Sequence, residues 1–225
     1  MGCSTAVGSD DPVRTSAAAL LAWMPAASAL AQGAVPGGCA EPALEHVGEP
    51  GCFMAAELKL PAAPKELYWH VFDFRNEGQA STEAERQTWA AVTHSHGRIW
   101  LHVLADGELR IESGRKLARA GPLRLDQGAA YRARFIESIF TPGMRTRTHS
   151  HPGPEAFYVV SGTQCMETPT RRARVEAGHT FVVDGGVHVQ AAPRGRRNVG
   201  VVLYPEGQPF MTVVTDWTPS DYCQR

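Results

Sequence analysis

Residues 143–162, GMRTRTHSHPGPEAFYVVSG, gather two histidines, a glutamate and spacing glycines into one stretch the size of a β-hairpin. His149 and His151 are two apart, so on a strand both imidazoles leave the same face. Glu155 follows four residues later, across Pro152, Gly153 and Pro154. That turn lets the glutamate re-enter on the same face from the next strand. Two imidazoles and a carboxylate converging on one point suit a divalent first-row metal. Three ligands from one hairpin rarely close a coordination sphere, so a fourth is expected from elsewhere in the chain.

The elements that must position these groups read as all-β. From Gly121 onward GPLRLDQG, YRARFIESIF, the hairpin above, TQCMET, TFVVDGG, NVGVVLYPEG and PFMTVVTDW follow one another, each bounded by Gly, Pro or Asp. Short strands at regular spacing predict a sandwich or barrel. A small antiparallel jelly roll is the architecture in which strands of both sheets send side chains into one cavity.

The spacing of Gly143, His149, His151, Glu155 and Gly162 resembles, position for position, the first signature motif of the cupin superfamily. The resemblance implies a double-stranded β-helix, the cupin jelly roll, over roughly the C-terminal half of the chain. It also implies a second motif with a further histidine, for which His188 in AGHTFVVDGGVHVQAA is the candidate. Gly185 fits the internal glycine of that motif, whereas Val183, Ala177 and Ala192 stand where the family has proline, glycine and asparagine. Shifting the register by one residue aligns Gly178 and Gly186 instead. The expected metal ligands are therefore His149, His151, Glu155 and His188.

Three imidazoles and one carboxylate carry little net charge and leave one or two positions open on a six-coordinate metal. Such a site can polarise a substrate oxygen, or serve oxidation by O2 if the metal is redox-active. Fe, Mn, Co, Ni, Cu and Zn all suit these donors, and the spacing does not choose among them. A metal that only braces the barrel is less expected, since structural zinc sites are usually cysteine-rich and closed. Strand parity adds Arg147, on the face of His149, as a group to bind a substrate carboxylate in the bidentate manner; a solvated arginine is the alternative. Glu137 shares the face of Phe135 and Ile139, an apolar stripe that would raise its pKa and suit a general acid or base. The competing expectation for Glu137 is an edge-strand carboxylate paired with an arginine.

The 225 residues hold 22 Lys+Arg against 23 Asp+Glu, 43% hydrophobic and 20% charged. A nearly neutral chain of ordinary composition gives no footprint for nucleic acid or an anionic membrane. The clusters Arg171-Arg172 and 194–197 read as solvated loop tips. Residues 1–31 read as a signal peptide, with Arg14 before an apolar run and Ala29-Leu30-Ala31 as the cleavage site. A periplasmic or secreted protein is expected, with no membrane contact after processing.

Export leaves Cys39, Cys52, Cys165 and Cys223, which allow three pairings. At least one disulfide among Cys39, Cys52 and Cys223 is expected, with Cys165 a small buried hydrophobe. Residues 32–120 read as a small α+β N-terminal extension ahead of a barrel over 121–225. Within it Leu67 to Phe74 is a strand, Thr82 with Glu85 a capping box opening a helix to about Ala90, and 91–105 a strand leading to an Asp106-Gly107 hairpin. His94-Ser95-His96 repeats the histidine spacing, but Trp100 fills the glutamate position and too little chain follows to build a second barrel.

By this reading the chain is an exported metal-binding cupin, an enzyme on a small organic molecule, dioxygenase-like ahead of isomerase-like. The alternative is a non-catalytic periplasmic cupin that captures a small ligand or metal ion. The resemblance further implies a homodimer.

Overall fold

The computed structural model describes residues 1–2 and 35–224; residues 3–31 of the expected leader, and its cleavage site, lie outside them. The first strand, β1 (Gly51–Leu60), leaves the barrel for an inserted unit before the chain returns. That unit holds β2 (Glu66–Phe74), α1 (Glu77–Ala84), β3 (Ala90–Ser95), β4 (Arg98–Ala105) and β5 (Arg115–Arg124). The barrel resumes with β6 (Tyr131–Phe140), β7 (Met144–Arg145), β8 (His149–His151), β9 (Glu155–Glu167) and β10 (Arg172–Glu176). It is completed by β11 (Thr180–Val183), β12 (Gly186–Ala192), β13 (Arg196–Pro205) and β14 (Thr212–Val213).

The barrel strands pair antiparallel in the order β1-β6-β13-β9-β12-β8-β14, with β10 and β11 on β9 and β7 on β12. β9 joins the two layers. Its first half pairs with β13 and β11, its second with β10 and β12. The bend falls at Gly162, opposite a register shift between Arg197 and Asn198. Gly162 takes φ 75°, and a Cβ there would lie 2.2 Å from the Gly195 carbonyl oxygen, so no other residue fits. The last anchor of the motif is thus a demand of the bend rather than of the metal.

β2–β5 form a separate four-stranded sheet, order β3-β4-β2-β5. One of its faces covers the outside of the barrel: Leu67, Trp69, Trp100, Leu104 and Leu123 pack with Ala133, Phe135, Val201 and Leu203. Its other face buries Phe72, Leu101 and Val103 with Ala80 of α1 and Ile111. Covered on both sides, β13 reads NVGVVLY, a continuous apolar run rather than an alternating one. Even-numbered residues of β6, such as Ile136, face the interior with Phe157, Val159, Met166 and Phe181.

Several expectations change. The barrel begins at β1, which pairs with β6 along its length, so the α+β unit is an insertion rather than an N-terminal extension over 32–120. Residues 121–124 belong to its sheet through β5. The helix starts earlier than the Thr82 capping box, because the Asn76 side chain accepts from Gln79 N at 3.1 Å and caps it. The segment 91–105 is two strands, turned at His96 and Gly97 with φ 52° and 71°. Cys165 is not a free buried thiol but bonds Cys223, and Cys39 bonds Cys52. The Cys39–Cys52 bond ties residues 35–39 to β1, and the Cys165–Cys223 bond ties the segment around Cys223 to β9. Among the described residues no helix is long and apolar enough to cross a membrane.

Candidate metal centre

β8 and β12 pair so that His149 and His188 are direct cross-strand partners and Gly186 faces His151. On one face of an antiparallel pair such partners stand side by side. Glu155 then enters at the head of β9 after the tight turn through Gly153, where a Cβ would lie 2.2 Å from the Leu203 carbonyl oxygen. All four expected ligands are buried in the barrel interior, none more than 4% exposed. One ligand nitrogen from each of His149, His151 and His188 lies within 4.8 Å of the others.

Each ring is held through Nδ1. His149 Nδ1 donates to the Arg147 carbonyl at 2.8 Å, His151 Nδ1 to the Phe210 carbonyl at 2.7 Å, and His188 Nδ1 to the Gly186 carbonyl at 3.0 Å. A carbonyl can only accept, so the proton sits on Nδ1 and the Nε2 lone pair is free to ligate. Phe210 is itself fixed, with the Arg134 guanidinium 4.4 Å over its ring. Burial pushes the pKa of all three histidines down, each to about 4, which keeps them neutral near pH 7.

Glu155 Oε1 accepts from Gln190 Nε2 at 3.2 Å. Its Oε2 lies 3.0 Å from His188 Nε2 and 3.8 Å from His151 Nε2 without hydrogen-bond geometry. Oε2 and His188 Nε2 are therefore both buried and without a partner. Burial raises the Glu155 pKa, opposed by the histidines beside it. Two orphaned atoms of this kind, facing each other, cost free energy that a cation between them would offset. The donor set fits a divalent metal.

The cluster opens on a cavity of about 110 Å³ whose walls are largely apolar, with Val35, Ile136, Phe140, Met211 and Val213. The Cys39–Cys52 disulfide forms part of the wall. Arg147 lines this cavity at its mouth, exposed, in the loop between β7 and β8. Glu137 does not reach it. It shares the face of Phe135, as parity predicts, but that face lies under the inserted sheet. β6 is an inner strand, and among the described residues no arginine pairs with Glu137, whose Oε2 has no hydrogen-bond partner there. Burial raises its pKa, partly offset by the nearby Ser95 hydroxyl.

Sequence reasoning passed over a buried polar ring beside the ligands. Gln190 Oε1 accepts from Gln164 Nε2 at 3.2 Å and from Arg196 Nη2 at 3.1 Å. Asn198 Nδ2 donates to Gln164 Oε1 at 2.6 Å. Ser138 Oγ donates to Asn198 Oδ1 and accepts from Arg196 Nη1, closing the ring. Gln190 is two residues after His188, and that parity was a signal. Arg196 was not legible: in the 194–197 cluster it alone is buried, while Arg194 and Arg197 are exposed.

No protein-family model matches this chain, and no curated protein matches it either. Among solved structures it is similar to a cupin-like protein of Thermotoga maritima, at 23% identity over 40% of this chain and 70% of that one, TM-score 0.34. A cupin superfamily protein of Desulfitobacterium hafniense aligns at 10% identity over 36% of this chain and 73% of that one, TM-score 0.31. An oxalate oxidase aligns at 22% identity over 36% of this chain and 46% of that one, TM-score 0.31. The fold rests on the chain's own strand order and on the burial of its motif residues in the barrel interior. The fold is an antiparallel jelly roll of the kind that the cupin resemblance implies, with His149, His151 and His188 clustered in its interior and Glu155 beside them.

Proposed function

We propose that this chain is an exported, metal-dependent enzyme that binds a small organic molecule in the barrel cavity, with oxidation favoured over isomerisation. One observation carries the metal-dependent part: three imidazoles oriented by carbonyls cluster with their Nε2 atoms free, and a carboxylate oxygen without a partner lies beside two of them. His149, His151, His188 and Glu155 would hold the ion. A divalent metal in this shell supplies Lewis-acid activation, and a redox-active one adds electron transfer with O2. The protein supplies the rest. Gln190 fixes the Glu155 carboxylate, Arg147 stands at the mouth to orient an incoming molecule, and the apolar wall excludes water. Export is supported by the two disulfides, which persist in oxidising compartments.

The test is O2 uptake by protein loaded in turn with Fe, Mn, Cu or Ni, against a panel of small carboxylates and phenols. Uptake lost in a folded His149→Ala variant supports the proposal. Metal-replete protein inert to the whole panel, with no exchangeable water on the metal, would instead identify a non-catalytic binding protein.

A further inference from the structure

Arg196 opens β13 and faces the barrel interior at 3% exposure. Its guanidinium carbon lies 3.8 Å from the centre of the Phe140 ring. Nη1 donates to Ser138 Oγ and Nη2 to Gln190 Oε1, both neutral acceptors, and Nε has no partner. The ion pairs made by the described residues include none to Arg196. Four other arginines have counter-charges: Arg132 and Arg134 share Glu57, and Arg98 and the exposed Arg115 share Asp73; Arg145, only partly buried, also has an Nε without a partner. A guanidinium enclosed without a counter-charge is strongly destabilising unless an anion reaches it.

The same cavity is lined by Arg196, His149, His151 and Glu155. Gln190 joins the two groups, donating to Glu155 and accepting from Arg196. On the metal-dependent reading above, on which this inference rests, a divalent ion and Arg196 bring three positive charges and Glu155 one negative, with the imidazoles neutral. A surplus of positive charge in an apolar chamber selects an anion. The unpartnered Nε–H and an adjacent Nη–H have the side-on fork geometry that matches the two oxygens of a carboxylate.

We propose that Arg196 is the docking cation for the carboxylate of a small organic acid, holding that acid in the chamber beside the three-histidine cluster. The apolar wall takes the hydrocarbon part, and Arg147 at the mouth is left for steering.

The test uses the full chain loaded with one equivalent of Zn²⁺. Sodium acetate is titrated by calorimetry at constant ionic strength, with acetamide as the uncharged control. Acetate binds and acetamide does not, and Arg196→Met weakens acetate at least tenfold while elemental analysis shows zinc retained. Arg197→Met, on the exposed neighbour, leaves the affinity unchanged. Acetate bound equally by wild type and a folded, zinc-loaded Arg196→Met overturns the inference. Should Arg196→Met not fold, the side-chain Nε–H resonance of Arg196 in the wild type decides. It moves saturably with acetate and not with acetamide, and an unmoved resonance overturns the inference. A wild type that binds no zinc yet shows the acetate-dependent shift would sink the metal reading and leave the carboxylate site standing.

Discussion

The chain contains the tetrapeptide Thr-His-Ser-His twice, and the two copies have opposite fates. In β8 the alternation buries His149 and His151 at 4% exposure each. At the end of β3 the register is reversed: Ser95 points inward at 9% exposure and His94 faces solvent, 3.4 Å from Glu77. His96 then sits in the turn at φ 52°, its Nε2 donating to the Asn198 carbonyl at 3.0 Å. In β3 the pleat is set by Ala91 and Thr93, which face inward with Ser95, so the histidines fall on the other parity. Identical residues can offer a metal two nitrogens only where the strand continues through both and a third histidine stands opposite.

The largest expected contrast is in metal content. Elemental mass spectrometry should find about one equivalent in the wild type and background in a His149→Ala/His188→Ala double variant, while His94→Ala/His96→Ala keeps the full equivalent. Equal loss from both variants would abolish the distinction between the two tetrapeptides.

Next is the pH dependence of the metal-free protein. Burial holds His149, His151 and His188 near 4 in the folded state against 6.5 in the unfolded chain. Between those values the unfolded chain binds protons that the folded one does not, so stability is full above pH 6.5 and falls as pH drops toward 4. Chemical denaturation with a chelator present should show a loss on the order of a few kcal/mol across that window. His149→Gln/His188→Gln should flatten it, and His94→Ala should not.

Smaller effects separate the two members of the second copy. His96→Ala removes the bond to Asn198 and should cost about 1 kcal/mol in denaturant melts, with metal content unchanged. His94→Ala should stay within about 0.5 kcal/mol, since an exposed pair contributes little.

How far these features could be read in advance follows the range of the interaction that fixes each. The shared buried face of the hairpin residues was legible because parity and the intervening turn are local, and the place of His188 beside them because a second motif was expected at that distance. The inserted sheet was misread as an N-terminal extension because β1 finds its partner β6 only after the whole insert, a pairing that periodicity does not encode. Glu137 shows the limit of parity: it gave the correct face-sharing with Phe135, but which side of β6 is interior depends on what covers the other. Arg196 was hidden for the same reason, since nothing in Arg-Gly-Arg-Arg says where β13 begins. The cysteines offered several pairings, and the choice depends on the C-terminal segment returning to β9. There Glu167 accepts from Ser220 N and Oγ and from Cys223 N, setting Cys223 beside Cys165.

The Cys39–Cys52 bond has one consequence for how the chamber is made. Without it, residues 35–39 are held to β1 by backbone bonds such as Cys39 N to Cys52 O at 2.8 Å and Cys52 N to Pro36 O at 3.0 Å. The panel they form beside the histidine cluster is held by these backbone bonds and by the disulfide together. Oxidation of the two thiols therefore adds a covalent tie to one wall of the chamber, at the point where that wall already meets β1.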